Sequence, residues 1–474
     1  MNVRFGTGGW RAVIGDGFTR QNVELLAAAL AQAALEEPAG ERGVAVGYDR
    51  RFLSKEAAYW AAQVLAGAGV PCLLIDREAP TPLVMFAVDS LHLPYGMAVT
   101  ASHNPAVYNG VKLFTHGGRD ADARVTAALE ARMESLEGAP PPRAEFDAAL
   151  ETGMISLIDP MNAYIDAIIA AVDMNAIRAC GLKVALDPMY GVSKTALQTI
   201  LITARCDVDV IHERRDALFG GRLPAPNVQT LEALKRFVEE HGCDIGIATD
   251  GDADRLGVID DRGEFLHPNK ILVLLYYYLL RYKGWRGDVV RNLATTHLLD
   301  AIAADFGAMC WEVPVGFKHI AAKMAETDAV IGGESSGGLT VRGHIHGKDG
   351  IYAGALLVEM IAVTGRKLSA LYAQIVSRYG AYEMEERDYR LTPAQRERIH
   401  RLLFGQKRLP PLHVQIERTG YTDGLKLYFC GGGWAICRFS GTEPLLRIFC
   451  EMSSARDART VLDEIEAFLA LAPR

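Results

Sequence analysis

The chain predicts a multi-domain α/β protein, and three observations carry that. At 474 residues it exceeds what one hydrophobic core normally holds, so it divides into several domains. Short apolar runs such as Val44-Ala45-Val46-Gly47-Tyr48 alternate with helix-forming stretches, the order expected of βαβ units and a largely parallel sheet. Several of those runs end in polar, acidic or Gly-rich loops, where open α/β sheets hold their ligands.

Taken in order, the chain opens with Val3-Arg4-Phe5-Gly6-Thr7-Gly8-Gly9-Trp10-Arg11. Its glycines let backbone approach a ligand, and Arg11 can meet a phosphate with a bidentate fork. It is neither a GxxxxGK[ST] nor a GxGxxG loop. An Ala/Leu-rich helix over 21–37 is stopped by Pro38 and Gly40. The spacing then predicts a strand over 44–49, a helix over 55–68, a strand over 71–76, a helix over 82–91 and a strand over 96–99. Next come Thr100-Ala101-Ser102-His103-Asn104-Pro105 and a strand over 110–114 that carries Lys112. Gly138-Ala139-Pro140-Pro141-Pro142 reads as a linker.

A second block over 155–265 has a helix at 161–178, a strand at 182–187 ending in Asp187, a helix at 229–241 and a strand at 245–248. Its strand–acid–loop–helix layout repeats that of 44–49, a sign of related α/β units. A third, 266–380, has a helix at 269–282, a strand at 288–292, a helix at 296–306, a loop at 313–319 and a strand at 329–331 before Gly332-Gly333-Glu334-Ser335-Ser336-Gly337-Gly338. The tail from 385 differs in style. Strands at 424–429, 434–439 and 445–450 precede a helix at 455–470, a small α+β domain. The expected domains are therefore 1–145, 155–265, 266–380 and 385–474, with a hinge near 380–390.

Composition excludes some classes. A net charge of −8 argues against a nucleic-acid partner. No apolar run is long enough to cross a bilayer, and Arg4, Arg11 and Asp16 interrupt any signal-peptide pattern. The eight cysteines form no CxxC and no zinc spacing. Reduced thiols and a cytoplasmic location are expected.

Four constellations carry chemistry. Thr100–Pro105 follows an apolar strand and places a hydroxyl, an imidazole and a carboxamide in a Pro-stopped turn. These are ordinary turn residues, but also a way to hold a nucleophile at a sheet edge. Asp250-x-Asp252-x-Asp254 gathers three carboxylates that need a cation, and all-oxygen ligands suit a hard ion, Mg²⁺ or Ca²⁺. An EF-hand would need Gly and Glu where Arg255 and Asp261 stand, so Mg²⁺ at a phosphoryl-transfer centre is the better reading. Glu334 with Ser335 and Ser336 in a glycine-rich loop suits sugar hydroxyls, which take both donors and acceptors. Arg438-Phe439-Ser440-Gly441-Thr442 with Arg447 offers guanidiniums, hydroxyls and loop N–H groups for a phosphate. Together they suggest phosphoryl transfer through a serine onto a sugar phosphate.

In these four motifs, and in their order, the chain resembles the α-D-phosphohexomutases, in particular the bacterial phosphoglucomutase/phosphomannomutase branch. The resemblance implies four domains around a central cleft: three related α/β domains with mixed sheets and a smaller C-terminal α+β domain. It implies that Ser102 carries the transferred phosphoryl group, and that Asp250, Asp252 and Asp254 bind Mg²⁺ with the group on Ser102 completing the shell. Arg11, His103, Lys112 and Arg255 match positions near that phosphate, Lys112 as a general acid/base. Glu334 and Ser336 match the sugar-reading loop. Arg438, Ser440, Gly441 and Thr442 match the phosphate-binding loop, with Arg447 after it. Lys318 and His319, in Gly316-Phe317-Lys318-His319, look like the glucose-type branch. Where many phosphoglucomutases read Gly-Glu-Glu-Ser-Gly, Ser335 stands in the middle.

The implied activity interconverts glucose 1-phosphate and glucose 6-phosphate through a 1,6-bisphosphate, with glucose 1,6-bisphosphate as activator. The expected partner is a small sugar phosphate, with no membrane, in a monomer or homodimer. Mannose, glucosamine and pentose phosphates are alternative substrates. A silent sugar-phosphate-binding paralogue and a Mg²⁺-dependent phosphatase are alternative functions.

Overall fold

The computed structural model describes residues 3–6, 8–440 and 445–471. It falls into two compact units. One holds the chain up to 283 together with 336–369, the other 284–335 together with 370 onward.

The first unit contains two mixed sheets. In the larger, Tyr95–Val99, Val44–Tyr48, Cys72–Glu78 and Ile155–Ile158 run parallel in that order, and Tyr108–Thr115 then Trp10–Val13 add antiparallel at one edge. Val44–Tyr48 and Tyr95–Val99 are buried at every position, as befits central strands covered on both faces. The helices Arg20–Glu36 and Ser54–Gly67 share a core with this sheet through runs of alanine, which let them pack closely. Ile155–Ile158 closes the far edge, so the first sheet reaches beyond residue 145.

In the second sheet Ile245–Thr249, Lys183–Asp187 and Asp207–Val210 are parallel, and Leu256–Ile259 turns back antiparallel on Ile245–Thr249. Thr249 pairs with Leu256, so residues 250–255 form the loop of a hairpin. The acidic strand ends expected to be related behave alike. Asp49 accepts the amide of Arg51 at 3.0 Å, and Asp187 that of Met189 at 2.7 Å.

Pro268–Arg281 and Gly350–Thr364, almost wholly buried, pack against each other in this unit. The expected helix over 161–178 is two helices, Met161–Ala171 and Met174–Cys180. The break falls where Asp173 turns its carboxylate to cap Asn175 and Ala176 at 3.1 and 2.9 Å.

The second unit joins a parallel group, Cys310–Val313, Val289–Asn292 and Ile331–Gly333, to a five-stranded antiparallel sheet. The latter runs Glu383–Arg390, Leu445–Met452, Trp434–Phe439, Leu425–Phe429, Ile416–Gly420, with the helix Ala455–Leu469 packed on it. Two expectations change here. Residues 383–390, expected near a hinge, are a regular edge strand paired along its whole length. The expected loop over 313–319 ends inside the helix Phe317–Thr327, whose first turn carries Lys318 and His319. Among the described residues no helix is long and apolar enough to cross a membrane.

Candidate active site

The serine loop begins where Tyr95–Val99 ends, and hydrogen bonds from neighbouring segments shape it. Thr100 donates its hydroxyl to Asp49 Oδ2 at 2.6 Å and accepts the Ser102 amide at 2.8 Å. Ser102 itself is fully buried with φ of 52°. A serine takes that left-handed backbone only where surroundings impose it, and such residues concentrate at functional sites. Its Oγ donates to Asp250 Oδ2 at 2.6 Å and lies 3.3 Å from His103 Nδ1.

Asp250 belongs to the hairpin loop of the second sheet. Each of Asp250, Asp252 and Asp254 offers a carboxylate oxygen within 4.8 Å of the other two, and all three are buried. Lys112 Nζ, also buried, donates to Asp252 Oδ2 at 2.6 Å and bridges to Asp254. Lys348 Nζ reaches Asp254 Oδ2 at 2.8 Å, and the Thr81 hydroxyl donates to Asp252 Oδ2 at 2.5 Å. The main chain of Gly251 lies so close to the serine loop that a Cβ there would stand 2.8 Å from the Ser102 carbonyl oxygen.

Burial, then repulsion from Asp252 and Asp254, pushes the Asp250 carboxyl up to about 8. Asp254 goes the other way: burial opposes its charge, but Lys112, Lys348 and Arg255 hold it well below the usual range. Burial would also discharge Lys112, yet Asp252 and Asp254 outweigh it and keep the ammonium charged. His103 is held neutral by burial and by the nearby Arg255 and Arg11.

The donor set fits a hard divalent cation. It is all oxygen, and Asp252 Oδ1 and Asp254 Oδ1 are buried with no hydrogen-bond partner. Buried carboxylate oxygens left bare are costly, and a metal ion would satisfy them.

Arg11 donates to Asn104 Oδ1 at 2.6 Å, so the N-terminal glycine segment is tied to the serine loop. Arg255 donates its amide to Asp250 Oδ1 at 3.0 Å, with its Nε 3.9 Å from Asp254. Thus Ser102, His103, Lys112, Arg11, Arg255 and the three aspartates lie in one cluster within the first unit.

Of the remaining expected residues, Lys318, His319, Glu334, Arg438, Ser440 and Arg447 lie in the second unit. Glu334 Oε1 accepts from Asn292 Nδ2 at 3.1 Å and from the Gly316 amide at 3.2 Å. Arg438 Nε donates to Asp423 Oδ2 at 2.9 Å, and the same oxygen accepts the Val315 amide at 3.0 Å. The turn before Phe317–Thr327 is therefore held by both carboxylates. Arg438 and Arg447 face each other across neighbouring strands. Ser440 is buried and donates its amide to the Leu445 carbonyl at 2.9 Å. Gly441 and Thr442 lie outside the described residues. Ser336 groups by contact with the first unit, where its neighbour Gly337 accepts the Leu256 amide at 3.1 Å.

The match to known proteins covers most of the chain. Profiles described as phosphoglucomutase/phosphomannomutase, alpha/beta/alpha domains I, II and III, match residues 2–139, 162–263 and 267–379, and the C-terminal domain of the same description matches 408–468. The chain belongs to the phosphoglucomutase/phosphomannomutase family. It is thus a member of the α-D-phosphohexomutase superfamily, a class of phosphotransferring isomerases.

A Thermococcus kodakarensis protein named phosphoglucomutase/phosphomannomutase is 31% identical over 468 residues, 98% of this chain and 97% of that one. A Methanothermobacter thermautotrophicus protein carrying the name phosphoglucosamine mutase is 31% identical over 470 residues, again 98% and 97%. The crystal structure of a Thermus thermophilus protein carrying the name phosphomannomutase superposes with a TM-score of 0.86 at 30% identity, covering 99% of each chain.

For this family member, reading the sequence missed Arg51, Thr81, Lys348, Asn292 and Asp423. Arg51 carried the one local signal, an arginine just after an acidic strand end. The others meet their partners only through the fold.

Proposed function

We propose that this phosphohexomutase moves a phosphoryl group between C1 and C6 of a hexose phosphate through phospho-Ser102, with glucose 1-phosphate and glucose 6-phosphate as the pair. One observation carries the reading: a buried, left-handed Ser102 points its Oγ at Asp250, 2.6 Å away, within a cluster of three buried carboxylates. Asp250, Asp252 and Asp254 would hold Mg²⁺ there. Bound Mg²⁺ supplies the positive charge that lets a phosphate sit beside three carboxylates and stabilises charge in transfer.

In the first half-reaction the sugar O6 hydroxyl attacks phospho-Ser102. The O6–P bond forms as the P–Oγ bond breaks, giving the 1,6-bisphosphate and free Ser102. His103 Nδ1, kept neutral 3.3 Å from Oγ, takes the proton that O6 loses. Lys112, held as an ammonium, gives one to the departing Oγ; in the return transfer Lys112 takes the Oγ proton back and His103 protonates the released O1. Arg11 and Arg255 flank the phosphate as cations. After the bisphosphate turns over, the O1–P bond breaks and that phosphoryl group returns to Oγ. Glu334 and Ser336 read the hydroxyls, and Arg438, Ser440, Gly441, Thr442 and Arg447 cradle the distal phosphate, with Lys318 and His319 beside them.

Intact-mass measurement after incubation with glucose 1,6-bisphosphate and Mg²⁺ tests the carrier. One phosphoryl adduct is expected, absent from Ser102→Ala; no adduct on the native chain refutes it. Rates on the 1-phosphates of glucose, mannose, glucosamine and ribose then rank the substrates. Glucosamine is the second reading, favoured by the names that several relatives carry. Released inorganic phosphate in place of isomerised sugar would indicate a phosphatase instead.

A further inference from the structure

The carbonyls of the serine loop converge on one guanidinium. Arg51 Nη2 donates to the Ser102 and Asn104 carbonyls at 2.6 and 2.7 Å, and Nη1 to those of Pro105 and Tyr108, both at 2.9 Å. Arg51 is 1% exposed. Asp49 Oδ2 lies 3.5 Å from its Nε, and its guanidinium carbon stands 4.8 Å from the centre of the Phe219 ring. Asp49 also accepts the Thr100 and Ser54 hydroxyls at 2.6 and 2.7 Å, so one anchored pair ties the start of the loop to its end.

We propose that Arg51 is a positioning residue for phosphoryl transfer: it imposes the left-handed backbone of Ser102 and thereby aims Oγ at the aspartate cluster. The inference rests on Ser102 as the phosphoryl carrier. Turned carbonyls need donors, and an arginine fork supplies several in fixed directions. With Asp49 balancing its charge and its Nη groups committed to the loop backbone, Arg51 acts through Ser102 and not on the phosphate. Gly251, from the aspartate loop, also packs close to the Ser102 carbonyl. The loop is clamped between the two domains that supply nucleophile and metal ligands. Small displacements of a reacting group cost rate steeply, so such a clamp shows in turnover more than in binding.

The test compares Arg51→Lys, Arg51→Met and Asp49→Asn. Turnover is normalised to folded protein by circular dichroism, and the rate of Ser102 phosphorylation by glucose 1,6-bisphosphate is followed by intact mass. Arg51→Met should lower kcat about 100-fold with KM changed less than about threefold, and Arg51→Lys should recover about tenfold of that, lacking only the planar fork. Ser102 phosphorylation should slow in parallel. A KM that rises at constant kcat, or a folded Arg51→Met enzyme within about threefold of native kcat, overturns the inference.

Should Arg51→Met fail to fold, Asp49→Asn decides. It keeps the shape but frees the guanidinium, and kcat should fall about tenfold at constant KM; an unchanged kcat overturns the inference. A native enzyme that never takes the phosphoryl group overturns the carrier reading along with it. A native enzyme that does, beside variants that transfer as fast, overturns this inference alone.

Discussion

Replacing Lys112 by Met should turn the carboxylate cluster into a source of instability that a metal ion relieves. Lys112 Nζ lies 2.6 Å from Asp252 and bridges Asp254, and its side chain is 5% exposed. At an effective dielectric of about 20, a pair at that separation attracts by about 6 kcal/mol before desolvation. Removing one partner of a buried pair costs a net ~3–5 kcal/mol, because the remaining charge stays uncompensated. At roughly 2 °C per kcal/mol for a large unit, the metal-free midpoint should fall about 6–10 °C.

Mg²⁺ in place of the lost ammonium should restore more than half of that. The pH dependence has a definite sign. Without Lys112, burial and Asp254 hold the Asp252 carboxyl above its unfolded value while Asp254 keeps Lys348 and Arg255. The folded state therefore binds more protons at Asp252, and the metal-free variant should gain stability as pH falls through that raised value. Thermal unfolding with EDTA and with saturating Mg²⁺ measures both. A midpoint loss that is the same in both conditions, or no loss at all, would refute the reasoning.

Three further outcomes follow from the same geometry. Asp250, pushed up to about 8 by burial and its carboxylate neighbours, should be protonated at pH 7 without metal. Its stabilising contribution should be lost as pH rises through about 8, and Mg²⁺ uptake near neutrality should expel close to one proton and tighten up to about tenfold per pH unit below 8. Calorimetry in buffers of different ionisation enthalpy reads the proton, and pH-independent uptake contradicts it.

Gly9 has φ of 104°, and an added Cβ would stand 2.5 Å from the Val111 carbonyl oxygen, so Gly9→Ala should cost about 2–3 kcal/mol by unfolding. An unchanged midpoint would remove the argument that Gly9 lets the Arg11 strand approach its neighbour. Arg438→Met should raise KM for the hexose 1-phosphate about tenfold or more while leaving Mg²⁺ affinity in the first unit unchanged. A normal KM would take Arg438 out of the substrate cradle.

Much of the site was readable in short stretches because its chemistry is local. A serine in a turn after a buried strand, three aspartates at alternate positions, and Arg–x–Ser–Gly–Thr each draw their meaning from adjacent residues. Helix bounds were less legible where two tendencies compete. Residues 161–178 carry continuous helical pattern, and only the Asp173 side chain, by capping the next helix, divides it. Phe317–Thr327 begins inside a stretch whose Pro314 and Gly316 read as loop. Nothing local to its strand explains why Lys112 is buried; its two carboxylate partners do.

By itself the sequence determined the α/β alternation, the serine and aspartate loops and the acidic strand ends. Periodicity and turn chemistry act over a few residues, so neighbours in the chain suffice to specify them. Only the tertiary structure decided how the charges are balanced. Asp254 is met by Lys112 and Lys348, Asp252 by Lys112 and Thr81, and the Ser102 carbonyl by Arg51, each from a separate segment of the chain. It also decided that Pro268–Arg281 and Gly350–Thr364 pack in the first unit while Val289–Asn292, Cys310–Val313 and Ile331–Gly333, between them in the chain, build the second. A buried charge accepts whatever compensation the fold brings within about 3 Å, and no local pattern in the chain records where that compensation comes from.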